Sequence, residues 1–166
     1  MAVIADSYIP NVGGLIGYID SEGNSFSKIV NCNTYANVSG FGNVGGAIGY
    51  VDTGEPHQIG ECTVYGDVSV VALPSGNQNF GIGGFVGTIN STGKIPNFSK
   101  CGFDGSIANA DGTSLSKGSI YGAFVGHDGS KATFIDCWHN ADKTGELEAI
   151  GDNKTITGIT AKNLGK

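Results

Sequence analysis

Four cysteines, Cys32, Cys62, Cys101 and Cys137, carry the most chemistry in this 166-residue chain. Four thiols suggest a disulfide frame, a zinc site or a buried apolar file. Three aspartates, Asp67, Asp104 and Asp142, follow the last three cysteines at similar distances. Paired carboxylates are what a glycosidase uses, about 5–5.5 Å apart when retaining and about 6.5–9.5 Å when inverting. Three histidines, His57, His127 and His139, are dispersed, as surface or capping residues are. Asp20-Ser21-Glu22-Gly23-Asn24 offers oxygens to calcium but lacks the full spaced ligand set, and a turn explains it equally well.

Which of these chemistries is possible depends on the elements that position the residues, and those are set by a repeat. Val12-Gly13-Gly14-Leu15-Ile16-Gly17-Tyr18-Ile19 recurs as Val44-Gly45-Gly46-Ala47-Ile48-Gly49-Tyr50-Val51. It returns as Ile82-Gly83-Gly84-Phe85-Val86-Gly87-Thr88-Ile89, and in weaker form as Tyr121-Gly122-Ala123-Phe124-Val125-Gly126-His127. Counted from Gly13, Gly45, Gly83 and Gly122, the period is 32, 38 and 39 residues. One cysteine follows each copy, with an apolar residue three before it: Ile29, Ile59, Phe98 and Phe134. Glycine makes up 29 residues, more than twice the usual share of roughly 7%. Glycine at that density costs about 1 kcal/mol per site in a helix interior, so helical repeats are disfavoured. A propeller blade needs four strands, whereas about three short strands are visible per copy.

The reading is an all-β fold, a right-handed parallel β-solenoid of about four coils with irregular loops on one edge. Parallel crossovers are almost always right-handed. The repeats run approximately over residues 12–43, 44–81, 82–120 and 121–145, with 146–166 as a C-terminal cap, all in one domain. Length varies in one phase, at Ser39 to Asn43, Ser69 to Gly81 and Ala108 to Ile120.

The pattern resembles the GLUG motif, a Gly-Leu-X-Gly type repeat. The likeness rests on Val12 to Tyr18, its three counterparts, Asn31-Cys32, and Ala36-Asn37-Val38-Ser39-Gly40. Ile156-Thr157-Gly158-Ile159-Thr160 also resembles the close of such arrays. The resemblance implies a bacterial cell-surface or secreted protein, adhesin-like, of which this chain is one part. Met1 to Pro10 shows neither the basic nor the apolar region of a signal peptide.

Stacking turns each equivalent position into a ladder with steps of about 4.8 Å. Four sulfurs would then spread over roughly 14 Å, too far for one zinc ion. Adjacent cysteines lie within disulfide reach, but parallel side-chain directions suit the bond poorly, so buried free thiols are expected. The column Ile16, Ile48, Val86, Val125 is assigned to the core. Its neighbour row, Leu15, Ala47, Phe85, Phe124, points the opposite way if the strand alternates. That row is either covered by the long loops or exposed as a ligand-binding strip, with Leu15, Phe85 and Phe124 as the candidate site residues. Asn31, Glu61, Lys100 and Asp136, just before the cysteines, form a ladder of mixed charge.

Function follows by weighing classes. Net charge is −6, with nine Lys and no Arg, which argues against nucleic-acid binding and a polybasic membrane anchor. No apolar run approaches the roughly 20 residues that span a bilayer. No cofactor, metal or catalytic residue is assigned. The expectation is a non-enzymatic repeat module, binding carbohydrate or a host or cell-surface protein, or serving as a stalk. The alternative is a polysaccharide-active β-helix lyase or hydrolase, for which Asp67 and Asp142 share a repeat phase.

Overall fold

The computed structural model describes residues 10–20, 27–52, 57–71, 80–90, 93–115, 120–151 and 156–165. Ser21 to Asn24 of the calcium reading, most of the loop from Ser69 to Gly81, and residues 116–119 of the loop from Ala108 to Ile120 lie outside them.

Five short strands form in each of the first three copies and four in the last, not three. Copy one holds β1 (Asn11–Gly13), β2 (Ile16–Ile19), β3 (Lys28–Val30), β4 (Asn33–Thr34) and β5 (Val38–Gly40). Copy two holds β6 (Asn43–Gly45), β7 (Ile48–Asp52), β8 (Gln58–Gly60), β9 (Thr63–Val64) and β10 (Val68–Val70). Copy three holds β11 (Ile82–Gly83), β12 (Val86–Asn90), β13 (Asn97–Ser99), β14 (Gly102–Phe103) and β15 (Ile107–Asn109). Copy four holds β16 (Tyr121–Gly122), β17 (Val125–Asp128), β18 (Thr133–Ile135) and β19 (Cys137–Asn140). It continues into one helical turn, α1 (Ala141–Thr144), and β20 (Ile159–Lys162) follows.

Two local features multiply the strands. Asn31, Glu61, Lys100 and Asp136 have φ of 57°, 54°, 52° and 54°. This left-handed backbone bends each chain just before its cysteine and splits one strand into two. The expected charge ladder exists there in part, with the Lys100 ammonium 3.6 Å from Glu61. That pair is exposed and contributes little stability. The second bend is the glycine pair, between β1 and β2 and their counterparts.

Every named strand pair is parallel, and like pairs with like. The strand orders are β1-β6-β11-β16, β2-β7-β12-β17, β3-β8-β13-β18, β4-β9-β14-β19-β20 and β5-β10-β15. The fold is therefore all-β with parallel strands in stacked sheets, consistent with a β-solenoid. No closed barrel occurs among the described residues. No helix there is long and apolar enough to cross a membrane.

The segment expected to be a simple cap keeps the same register. Leu15 and Ile16 both donate backbone N–H bonds of 3.0 Å to the Ala47 carbonyl. Phe124 and Val125 do the same to Ala149, and Val125 bridges Ile150 in parallel. Cys137 pairs with Ile159, and Gly158, at φ 91°, takes the bend before it. Ala149-Ile150-Gly151 and Gly158-Ile159 are thus remnants of a further copy.

That shared acceptor also corrects the apolar row. Because the chain turns at Gly14-Leu15, simple alternation fails there, and residues 85 and 124 point inward. Phe85 and Phe124 are fully buried and stack on each other at 4.9 Å. Phe98 and Phe134 stack beside them at 5.3 Å, and the two pairs meet edge to face at 6.4 and 6.1 Å. Ala47 is buried too, and of the proposed strip only Leu15 is exposed. Leu15, Phe85 and Phe124 therefore make no continuous exposed strip: Ala47, Phe85 and Phe124 belong to the core, and Leu15 alone of the row reaches the surface. Ile48, Val86 and Val125 are buried as assigned, with Ile16 half-buried beside them.

The β1 and β2 sheets lie so close that their backbones touch. A Cβ on Gly49 would sit 2.6 Å from both the Gly17 oxygen and the Val12 nitrogen. A Cβ on Gly87 would sit 2.6 Å from the Val44 nitrogen. Glycine recurs at this position because peptide packs directly on peptide.

The cysteines form a file of free thiols, three buried and Cys32 half-exposed. Their sulfurs bond to main-chain oxygens, as Cys62 does to Gly60 at 3.1 Å and Cys137 to Phe98 at 3.5 Å. Hydrogen bonds with Cys137 and Cys62, and then burial, push the Cys101 thiol far up. Reactivity follows thiolate character and exposure. Native protein treated with a thiol reagent is expected to show one modified site, Cys32, and four after denaturation. Mass spectrometry of the labelled protein reads this directly, and native labelling of Cys101 would contradict the buried file.

Two of the histidines expected at the surface are buried. His57 accepts a 3.0 Å hydrogen bond at Nδ1 from the Ser27 N–H. His139 lies 2.9 Å from the Thr144 hydroxyl, which itself donates to the Asn140 carbonyl at 2.9 Å. The hydroxyl proton is committed, so His139 donates through Nδ1. Burial lowers its pKa to about 4 from an ordinary 6.5. The unfolded chain then binds more protons than the folded one between these values, so stability falls as pH drops from about 6.5 to 4. The shift corresponds to about 3 kcal/mol. His139→Val, which copies Val64 of the same column, should flatten the melting temperature over that window. An equally steep profile in the variant would remove His139 as the cause.

Candidate functional site

Inside the β4 sheet, Thr34, Val64, Phe103 and His139 form the buried column. The residues on either side turn to the opposite face, where Tyr35 and Tyr65 are exposed and Asp104 and Trp138 partly so, whereas Asn140 is buried. Tyr35 and Tyr65 follow β4 and β9 directly, and their rings stack at 4.9 Å with 8° between planes. Tyr35 is 72% exposed, the most open large apolar side chain among the described residues, and Tyr65 is 43% exposed. Backbone bonds from Tyr65 to Thr34 and from Asp104 to Val64 put Tyr35, Tyr65 and Asp104 in one column.

Polar groups continue that column. The Asp104 carboxylate accepts 2.7 Å from the Asn140 amide and lies 3.1 Å from the Lys143 ammonium. Lys143 also donates to the Asp104 carbonyl at 2.9 Å. Asn140 caps α1 by accepting from the Asp142 N–H, and this turn brings Lys143 back over the sheet. The adjacent column carries Asn33, Thr63, Gly102 and Trp138 in register. The Trp138 indole lies across Gly102, where a Cβ would collide with the ring. The Lys162 ammonium sits 4.9 Å from the Trp138 ring centre, a cation–π contact. Tyr65, Asp104 and Asn140 follow one another at strand steps of about 4.8 Å.

This face combines rigid aromatic surface with a partly exposed acid and ammonium, held from behind by the buried Asn140 amide. Aromatic rings take the apolar C–H side of a ligand, and the polar groups exchange hydrogen bonds with its hydroxyls. The other aspartates are engaged elsewhere. Asp67 accepts from the Ser106 N–H and hydroxyl at 2.8 and 2.9 Å, and Asp142 accepts from the Gly165 N–H at 2.7 Å. Asp67 caps the third copy of its column, whereas Asp142 lies in α1, so the column they were expected to share ends before copy four. Among the described residues no group of three or more His, Cys, Asp or Glu is placed to hold a metal ion.

No known relative names this site. The chain matches no family model, no curated protein and no solved structure.

Sequence reasoning singled out Asp104 and passed over Tyr35, Tyr65 and Trp138. A signal was present: Tyr35 and Tyr65 each stand three residues past a cysteine, so the repeat phase already stacked them.

Proposed function

We propose that the chain is a right-handed parallel β-solenoid of about four coils with a partial fifth, acting as a non-enzymatic carbohydrate-binding module. The GLUG-like repeat supports placing it in a bacterial surface or secreted protein. The observation that carries the binding reading is the exposed Tyr35–Tyr65 stack one strand step from the Asp104, Asn140 and Lys143 cluster. Aromatic side chains ordered by stacking lose little entropy on binding.

A glycan array on the purified protein tests this, followed by calorimetry with the best glycan. Tyr35→Ala and Trp138→Ala should each weaken binding by about tenfold, or about 1.4 kcal/mol. A blank array, or affinity indifferent to both changes, would remove carbohydrate as the ligand of this face. Release of new reducing ends from a bound polysaccharide would favour the enzymatic alternative.

A further inference from the structure

The cysteine file sets sulfur beside sulfur at a spacing fixed by the backbone. Val30 pairs with Gly60 and Asn33 with Thr63, so Cys32 and Cys62 stand one strand step of about 4.8 Å apart. The Thr63 N–H bonds to the Cys32 carbonyl at 3.1 Å and holds that register next to the sulfurs. Both side chains leave the backbone in the same direction, because each thiol reaches the carbonyl two residues before it. Cys32 reaches that of Val30 at 3.4 Å, and Cys62 that of Gly60 at 3.1 Å. Cys101 repeats the contact with Ser99 at 3.4 Å and Cys137 with Ile135 at 3.6 Å. The alignment therefore belongs to the repeat and not to one end of the stack.

Parallel sulfurs one step apart suit a bridging ion better than a bond. A disulfide draws its sulfurs to about 2.0 Å. A thiolate–metal bond is about 2.3 Å long, so an ion midway between two sulfurs holds them about 4.6 Å apart. Such an ion has two ligands in line. Soft monovalent ions with a filled d shell accept that geometry, whereas zinc takes four ligands. Thiolate sulfur also selects copper(I) over hard cations, which prefer oxygen. Cys62 is prepared as the thiolate of the pair, since the Cys32 N–H donates to its Sγ at 3.4 Å. A hydrogen bond from Cys101 first, and the Cys32 N–H and thiol after it, outweigh burial and pull the Cys62 thiol down to about 6 from an ordinary 9.0. Cys101, pushed far up, keeps its proton and leaves the interior pair unfilled.

We propose that Cys32 and Cys62 bind one soft monovalent ion of the copper(I) class, held in line between their two sulfurs. Two sulfur–metal bonds form, the thiol protons that rest on the Val30 and Gly60 carbonyls go to solvent, and no atom changes oxidation state. The Cys32 N–H stays on the Cys62 sulfur and offsets the negative charge that two thiolates and one cation leave. The ion fastens copy one to copy two. The site shares no residue with the carbohydrate face and stands or falls apart from it.

The test titrates the whole chain, reduced and free of oxygen, against copper(I) held by a coloured chelator. Loss of the chelate's colour counts the ions taken up, and one per chain is expected. X-ray absorption of the loaded parent should show two sulfur neighbours, a measurement free of any variant's folding. The ion should shield Cys32 from a thiol reagent. The melting temperature should climb with free copper(I), because the folded chain alone aligns the pair. Cys32→Ser, at a half-exposed position, should weaken binding by more than the roughly 10–100-fold that loss of a supporting contact brings. No copper taken from the chelator, a single sulfur neighbour as on any exposed thiol, Cys32 labelled as fast with copper as without, or Cys32→Ser binding as the parent does would each overturn the proposal.

Discussion

Gly49→Ala should cost about 4 kcal/mol or more, near the upper limit for one methyl group. The added Cβ falls 2.6 Å from the Gly17 oxygen and the Val12 nitrogen and 2.8 Å from the Asn11 carbonyl carbon. All three are backbone atoms of the neighbouring copy. A side-chain tip can rotate aside, but peptide groups held by two ladders cannot, so β1 must leave β2 or the copies must separate. For a chain of this length, the melting temperature should drop by roughly 10 °C. Gly129→Ala is the matched control, because its Cβ meets Asn90 Oδ1 at 3.2 Å and His127 Nε2 at 3.5 Å, both ends of side chains. Thermal melts by circular dichroism compare the two. Equal melts would show that the close contact of the two sheets is not real.

Ile48→Asp should abolish cooperative folding. Ile48 is 1% exposed and stacks between Ile16 and Val86 in register. A carboxylate there has no cation within its column and must be ionised in hydrocarbon or be neutralised at a cost of several kcal/mol. Total stability of a protein this size is about 5–15 kcal/mol, so little remains. The damage also spreads, because each copy of a repeat array is held mainly by its neighbours and copy two joins copy one to the rest. The expected result is loss of the sigmoidal melt and strong dye binding at all temperatures. A parent-like melt would place Ile48 outside the core.

The sequence disclosed the parts of this structure that repeat. Gly13, Gly45, Gly83 and Gly122 foretold the parallel order, and the column of Ile48, Val86 and Val125 was recognisable as core from type and phase alone. What escaped was local backbone shape. The left-handed residues Asn31, Glu61, Lys100 and Asp136 share no residue type, so the bend that creates the extra strands leaves no compositional trace. The direction of Phe85 and Phe124 depended on a turn, and alternation was applied across it. Of the remnant copy, Ile156 to Thr160 was recognisable as the close of the array, whereas residues 147–151 were not, because leucine and glutamate replace the glycine pair. The aromatic face was missed for another reason: Tyr35 and Tyr65 sit in phase, but Trp138 comes from the neighbouring column and reaches the site by lying over Gly102.

The seam where Gly49 and Gly87 lie against the opposing sheet has a thermal consequence. It hides amide rather than hydrocarbon, and exposing amide to water lowers the heat capacity, whereas exposing hydrocarbon raises it. Unfolding therefore carries a smaller heat-capacity increment than the chain's length implies. The curve of stability against temperature is correspondingly shallow, and cold weakens this protein less than one that relies on oily contacts throughout.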